Sequence, residues 1–381
     1  VKGAHWTEDV RLLPALVDEL DSDAESRRRL DMALLRLYYG RPLTLTTSDP
    51  TRASSRLADV DAVRGGGFSL YRQIVDAASS LIVRIPAIRV LPVGENWTTQ
   101  KSSKGLGRFV NGVFYANDID RKADRVFTAG ANTRFGALKF AIDPRTKEIR
   151  AHHVDSLNLL WDEGEGVDPR NLFEQKAVPR RFLAKKYPEH AYEIEKAPHW
   201  EEKHIPGVDP QSFRDRDTVR VIEAWALPIG KEPGRHVIRC GDAILEDEEY
   251  EHERVPFAIF RWKDSNKSFG GVPVGEALLP YQVWTNRLVR MIEEAQRGAV
   301  PKLIVHENAE LQAASDKIFE RIIYRGNVGP RWETPQALTS EIYNWRATIK
   351  AEAYEEAGVN MSLAQGKTEP GIVSAVAQRE R

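Results

Sequence analysis

Residues 275–297 read Gly-Glu-Ala-Leu-Leu-Pro-Tyr-Gln-Val-Trp-Thr-Asn-Arg-Leu-Val-Arg-Met-Ile-Glu-Glu-Ala-Gln-Arg. Leu278, Leu279, Val283, Leu288 and Ile292 recur at helical spacing, which predicts a long helix with one apolar stripe. Arg287, Arg290, Glu294 and Arg297 fall on the opposite stripe. A second long helix is predicted over about 338–357, with Leu338, Ile342, Trp345, Ile349 and Ala353 on one face and Gly358 as its stop. Between the two lie a strand at 302–306, a short helix near 309–316, a strand at 322–324 and a Gly/Pro loop through Pro335. After Gly358 comes an irregular segment, 359–372, with turn chemistry at Glu369-Pro-Gly371, and then the start of another helix. The order is helix, compact strand-containing insert, helix, irregular loop, new helix.

Upstream, helices are predicted first and strands after them, so the chain reads as a mixed α+β fold. Ser22 and Glu25 have capping-box spacing ahead of Leu30, Leu34 and Leu37, and Gly40 supplies a stop. Further helices are expected over 69–83, 102–116 and 118–130. Residues 137–142 and 148–154 flank the turn Asp143-Pro-Arg-Thr-Lys147 and predict a hairpin. Residues 218–225 alternate as a strand, a second hairpin surrounds Cys240-Gly-Asp242, and 179–187 reads as a short basic helix.

The chain has 381 residues, enough for two or three structural units. Its formal charge is 55 − 56 = −1, which argues against a protein that coats nucleic acid through net positive charge but leaves room for local basic rings. Cys240 is the sole cysteine, so an intrachain disulfide and a Cys₂His₂ zinc site are both excluded, and a reducing compartment or an intracellularly assembled particle is expected. No apolar run has the length of a membrane span, and the start lacks the pattern of a secretory signal. The first residue is Val, and the last eight read as helix turns without a cap, so we expect the natural chain to continue past both ends.

Chemistry-bearing motifs are few. Gly366-Lys367-Thr368 invites a nucleotide reading, but a phosphate-binding loop needs a glycine where Met361 stands, and a helix rather than a strand leads into it. Arg64-Gly-Gly-Gly67 reads better as a hinge than as an anion cradle. His152 and His153 are strand neighbours that face opposite sides. His199 and His204 lack ligand spacing, and the acidic run 162–168 lacks the order of a calcium loop. No Ser or Cys stands beside a convincing base. The residues argue for no catalytic site, metal or cofactor. Glu352, Glu355 and Glu356 end the second long helix, a poor match to its dipole that a basic partner such as Lys367 would relieve.

Three passages carry a resemblance. Pro256-Phe-Ala-Ile-Phe-Arg, Phe269-Gly-Gly-Val-Pro273 and then Glu276, Leu279, Gln282 and Asn286 resemble the approach to the first stem helix of tailed-bacteriophage portal proteins. The run 69–86, with Arg72, Val75, Asp76 and Pro86, is similar to that family's wing helix, with Ser69 where Asn is usual and Ala77 where Thr is usual. The run 358–375, Gly-Val-Asn-Met-Ser-Leu-Ala-Gln-Gly-Lys-Thr-Glu-Pro-Gly-Ile-Val-Ser-Ala, is similar to the stretch after the second stem helix, with Asn360 where Ser is common.

The resemblance implies a head-to-tail connector: a ring of about twelve identical subunits at a capsid vertex, through which DNA is packaged and ejected. It implies a wing over 1–270, stem helices at 271–298 and 337–358, a clip at 299–336, a tunnel loop at 359–372 and, from 373–381, a helix rising to a crown. It implies no enzyme, because the packaging motor is a separate terminase. Double-stranded DNA, terminase, a tail adaptor and capsid or scaffolding protein are the implied partners, with no membrane, and the virion is the implied location. Arg287, Arg290 and Arg297 become stem charges facing either the channel or a neighbour. Asn360, Met361 and Lys367 become the tunnel-loop contacts to DNA, and Lys302, Glu307, Glu310, Lys317, Arg321 and Arg325 the clip surface. The alternatives are a nucleotide-binding enzyme using Gly366-Lys367-Thr368 and a different virion connector or adaptor.

Overall fold

Alternation along Thr218–Ala226 puts Val219, Val221, Glu223 and Trp225 on one face and Ile222, Ala224 and Ala226 on the other. That strand is central to the larger sheet of the computed structural model, which describes residues 6–39, 69–82, 88, 90–92, 96–143, 145–200, 217–298, 302–304, 310–313, 323–325, 331–333 and 340–359. Strands β1 (Gly136–Ile142), β2 (Ile149–Val154), β3 (Leu159–Leu160), β4 (Asn171–Pro179), β5 (Thr218–Ala226), β6 (Gly234–Cys240), β7 (Ala243–Tyr250) and β8 (Phe257–Phe260) form two antiparallel sheets, ordered β3-β4-β5-β6-β7 and β2-β1-β8. The described helices are α1 (Leu13–Asp23), α2 (Glu25–Tyr38), α3 (Leu70–Ile82), α4 (Trp97–Ala116), α5 (Ile119–Asn132), α6 (Arg180–Lys186), α7 (Ala191–Lys196), α8 (Val274–Gly298) and α9 (Ser340–Glu356). The fold is mixed α+β, and both expected hairpins and the short basic helix are present.

The two faces of the five-stranded sheet find different cover. Ile222, Ala224, Ala226, Phe173 and Val237 pack against Leu13, Val17 and Leu20 of α1, together with Trp6 and Val10. On the other face, Val219, Val221, Ile238 and Cys240 pack under Leu183 of α6 and Ile194 of α7. Burying each of the larger apolar side chains here, such as Leu13, Val17 or Ile194, stabilises the fold by roughly 1.5–3 kcal/mol. The three-stranded sheet is covered by α5, through Ile119, Val126, Leu138 and Ala151. Asn117 binds strand β2 directly: its Nδ2 donates to the Ile149 carbonyl at 2.9 Å and its Oδ1 accepts from the Ala151 N–H at 2.8 Å. Lys122 Nζ donates to the Ala151 carbonyl at 2.7 Å.

Helices converge on a second core. Leu70, Tyr71, Ile74 and Val75 of α3 meet Phe127 and Ala131 of α5, Val274 and Leu278 at the start of α8, and Ala353, Tyr354 and Ala357 at the end of α9. The root of the first long helix thus meets the tip of the second. Gly275 makes this junction possible, because a Cβ there would stand 2.5 Å from Tyr71 Oη and 2.9 Å from Leu34. Gly358 leaves α9 with φ +67, the left-handed conformation that glycine adopts without steric cost.

Two expectations are corrected. Ser22 and Glu25 form no capping box, because Ala24 keeps helical φ −68 and ψ −16 and the chain runs almost continuously from α1 into α2. Ser22 therefore lies inside a helix instead of at its start. The short helix expected near 309–316 is a strand, β10 (Glu310–Ala313), paired antiparallel with β11 (Ile323–Arg325). Pairing with the strand Ile323–Arg325 overrides local helix propensity there. Strands β9 (Lys302–Ile304) and β12 (Arg331–Glu333) form a second pair.

Candidate functional site

The passages that resemble a known family consist, wherever they are described, of packing and capping residues. Phe269 sits edge-on to Phe135 and Trp161, with ring centroids 5.5 and 5.3 Å away. Gln282 Oε1 accepts from the Tyr71 N–H at 2.9 Å, and its Nε2 donates to Asn286 Oδ1 at 2.8 Å, so α8 helps to cap α3. Ser69 accepts from the Arg72 N–H at 3.2 Å and performs the cap that Asn would perform. The motif residues help to fix how α3, α5 and α8 meet.

On α8, Leu278, Leu279, Val283, Leu288 and Ile292 are all buried, as the spacing predicted. Ala33 of α2 packs on Leu279 and Val283. The opposite side is exposed and carries Arg287, Arg290 and Glu294. Arg287, Arg290, Glu293 and Arg346 each have an interaction partner. Large apolar side chains lie on the same outer surfaces: Trp284 is 45% exposed, Met291 48%, Tyr343 44% and Trp345 53%. The face expected for the second helix is corrected accordingly. Ile349 and Ala353 are buried, Ile342 is half-buried and Trp345 is exposed. Helical period identifies a face, but it cannot say whether the same chain covers that face along its whole length.

Between the helices, Lys302 stands opposite Glu333, and Glu310 opposite Arg325, in antiparallel register. Arg297 lies on the last turn of α8. Glu307, Lys317, Arg321, Asn360, Met361 and Lys367 lie outside the described residues, as do Arg64–Gly67, Gly366–Thr368 and the segment 360–381.

Sequence reasoning missed a buried ionic cluster between the two sheets. Lys139 Nζ on β1 donates to Glu174 on β4 at 2.8 Å and to Glu223 on β5 at 2.5 Å. Lys176 donates to Glu223 at 3.1 Å, and His236 Nε2 donates to its other oxygen at 3.1 Å. Burial alone would push the Glu223 carboxyl up, but the His236 hydrogen bond and the charges of Lys139 and Lys176 outweigh it and hold the group far below the usual carboxylate range. The Lys139 ammonium also lies 4.6 Å from the Trp225 ring centre. The cluster joins one sheet to the other. Its sequence signal was a charged residue at inward strand positions, at 139, 174 and 223.

The other candidates resolve into structure. In the acidic run, Glu163 pairs with Arg27 at 2.8 Å, and Glu165 accepts from the Arg170 and Asn171 N–H groups at 2.6 and 3.0 Å. Burial pushes the Cys240 thiol up to about 11, so it is inert at neutral pH. Among the described residues no three His, Cys, Asp or Glu side chains are grouped to hold a metal ion, and no helix is long and apolar enough to cross a membrane. No protein-family model and no curated protein matches the chain.

Proposed function

We propose that the chain is the subunit of a phage-type portal ring, the connector at a capsid vertex that conducts double-stranded DNA. One observation carries this reading: Trp284, Met291, Tyr343 and Trp345 stay exposed on two long helices beside Arg287 and Arg290. Helices with apolar residues on more sides than one chain can cover are suited to packing against copies of themselves.

In this reading residues 1–270 are the wing, 271–298 and 337–358 the stem helices, 299–336 the clip and 359–372 the tunnel loop. Residues 373–381 begin the helix toward a crown. Arg287, Arg290 and Arg297 repeat around the ring as belts of positive charge. The near-zero net charge suits a duct through which DNA must slide, because every phosphate neutralised adds affinity and therefore drag. The clip receives terminase during packaging and a tail adaptor afterwards, and the wing faces capsid or scaffolding protein. The ring is a virion component, holds no cofactor and performs no chemistry of its own.

Electron microscopy of the purified chain, with its mass measured in parallel, tests the proposal. Top views of a ring with a central hole wide enough for duplex DNA are expected. A persistent monomer, also when the chain is extended past Arg381, sinks the reading.

A further inference from the structure

Helix α4 (Trp97–Ala116) has no buried residue along its 20-residue length. It carries Lys101, Lys104 and Arg108 and no acidic residue. Trp97, Lys101, Lys104, Arg108 and Tyr115 fall on one stripe, at spacings of three, four and seven. Trp97 is 71% exposed and Tyr115 88%, so the stripe is a row of cations with an uncovered aromatic at each end. The opposite stripe, with Phe109 and Val113, lines a groove of about 780 Å³ against Ile149 and Ala151 of β2. That side anchors the helix, through Phe114 and the apolar residues of α5 and β1. The cationic stripe has no cover from the described chain.

A matching surface exists elsewhere on the same molecule. Strand β7 is the last strand of the five-stranded sheet, and from there the chain reads Glu246-Asp-Glu-Glu-Tyr-Glu-His-Glu253. Lys186 pairs with Glu246, and Arg235 with Asp247. Glu248, Glu249, Glu251 and Glu253 are exposed, and no ion pair with another described residue engages them. The two surfaces share no ion pair within one chain. The two are opposite in charge, and both are open to solvent.

We propose that helix α4 of one copy docks on the acidic strand edge 246–253 of the next copy, a head-to-tail contact between two copies of this chain. Two different patches meet in such a contact, so it propagates from copy to copy and closes when the rotation per subunit allows. The proposal rests on the ring reading and supplies one of its contacts. Trp97 and Tyr115 provide apolar area at the ends of the stripe, and the charges set register and speed encounter. Added salt weakens the contact, because both surfaces are solvent-exposed before they meet.

Two charge-reversed proteins test it. One carries Lys101→Glu, Lys104→Glu and Arg108→Glu; the other carries Glu248→Lys, Glu249→Lys, Glu251→Lys and Glu253→Lys. Sedimentation velocity on each alone is expected to show monomer at concentrations where the unmodified chain is assembled, a weakening on the order of tenfold or more. An equimolar mixture is expected to assemble again, because each protein then offers the surface the other has lost. Circular dichroism and melting temperature report whether each variant is folded. Should a reversed set fail to fold, the neutral set Lys101→Gln, Lys104→Gln and Arg108→Gln is expected to weaken assembly and flatten its salt dependence. Rings from either reversed protein alone, or a folded mixture that stays monomeric, overturn the docking but leave the ring reading standing. An unmodified chain that is monomeric at every salt concentration, also when extended past Arg381, overturns both.

Discussion

Lys139 is the residue on which the relation between the two sheets turns, because it neutralises Glu174 and Glu223 from the opposite sheet. Replacing it by alanine leaves two neighbouring buried carboxylates with only Lys176 and His236 to offset them. Lys139→Ala is expected to cost about 3–5 kcal/mol of unfolding free energy, read by urea denaturation. A loss under about 1 kcal/mol would mean that the cluster holds nothing together. Asp31 is the opposite case. Burial drives its carboxyl up to about 7, against the charges of Arg134 and Arg27 that pull it down and of Glu276 and Asp155 that push it further up. Its Oδ1 is buried with no hydrogen-bond partner and lies 3.7 Å from Arg134 Nε, an ion pair too long for a hydrogen bond. Between about pH 4 and 7 the folded chain keeps a proton that the unfolded chain has released, so stability is greatest at the acid end and falls as pH rises through that window. Asp31→Asn is expected to reduce the drop in melting temperature between pH 5 and pH 8, with Asp155, also raised by burial, keeping part of it. An unchanged drop would exclude Asp31 as its source. Glu223 acts in a separate window: its depressed pKa contributes stability that is present above about 4.5 and lost below it.

At the scale of elements, Trp284 and Trp345 are exposed on the long helices, so they contribute little to the fold of one chain. Trp284→Ser with Trp345→Ser is expected to leave the melting temperature of the monomer nearly unchanged, since exposed substitutions fall within roughly 0.5 kcal/mol. The same pair is expected to abolish ring formation, measured by mass photometry. Intact rings from the double variant would remove the two tryptophans from any interface. The sequence revealed these helices because their apolar stripes repeat over several turns, and every residue of the first stripe is buried. It revealed strands at 218–225 and 137–142 because apolar residues recur at alternate positions there, although β5 is buried on both faces. It failed at 310–313, where four residues are too few to carry a period and pairing with 323–325 decides the outcome. It failed at Ser22 because a capping pattern says nothing of whether a helix already runs through it. The ionic cluster was hidden for a different reason: Lys139, Glu174 and Glu223 are far apart in sequence, and only the register of β4 with β5 and the stacking of two sheets bring them together. Arg287 and Arg290 were placed on the exposed side of their helix by period alone, and both are exposed.

For the whole molecule, charge balance and charge layout are different quantities. The sum is −1, yet one helix carries three cations without an anion, and one strand end carries six acids in eight residues. Such a layout favours approach of the cationic patch to the acidic one and disfavours approach of like patches. The hydrogen bonds from Asn117 and Lys122 to strand β2 bear on the same problem from another side. β2 is the rim of its sheet, and a bare rim is a template for stacking identical strands into fibrils. With Asn117→Ala and Lys122→Ala that template is uncovered, and a slow rise in thioflavin fluorescence and light scattering is expected where the unmodified chain stays clear. A clear solution after days would show that the rim is guarded by something else. These two side chains act as a safety catch: they occupy backbone groups on the rim of β2 that a strand from another copy would otherwise meet.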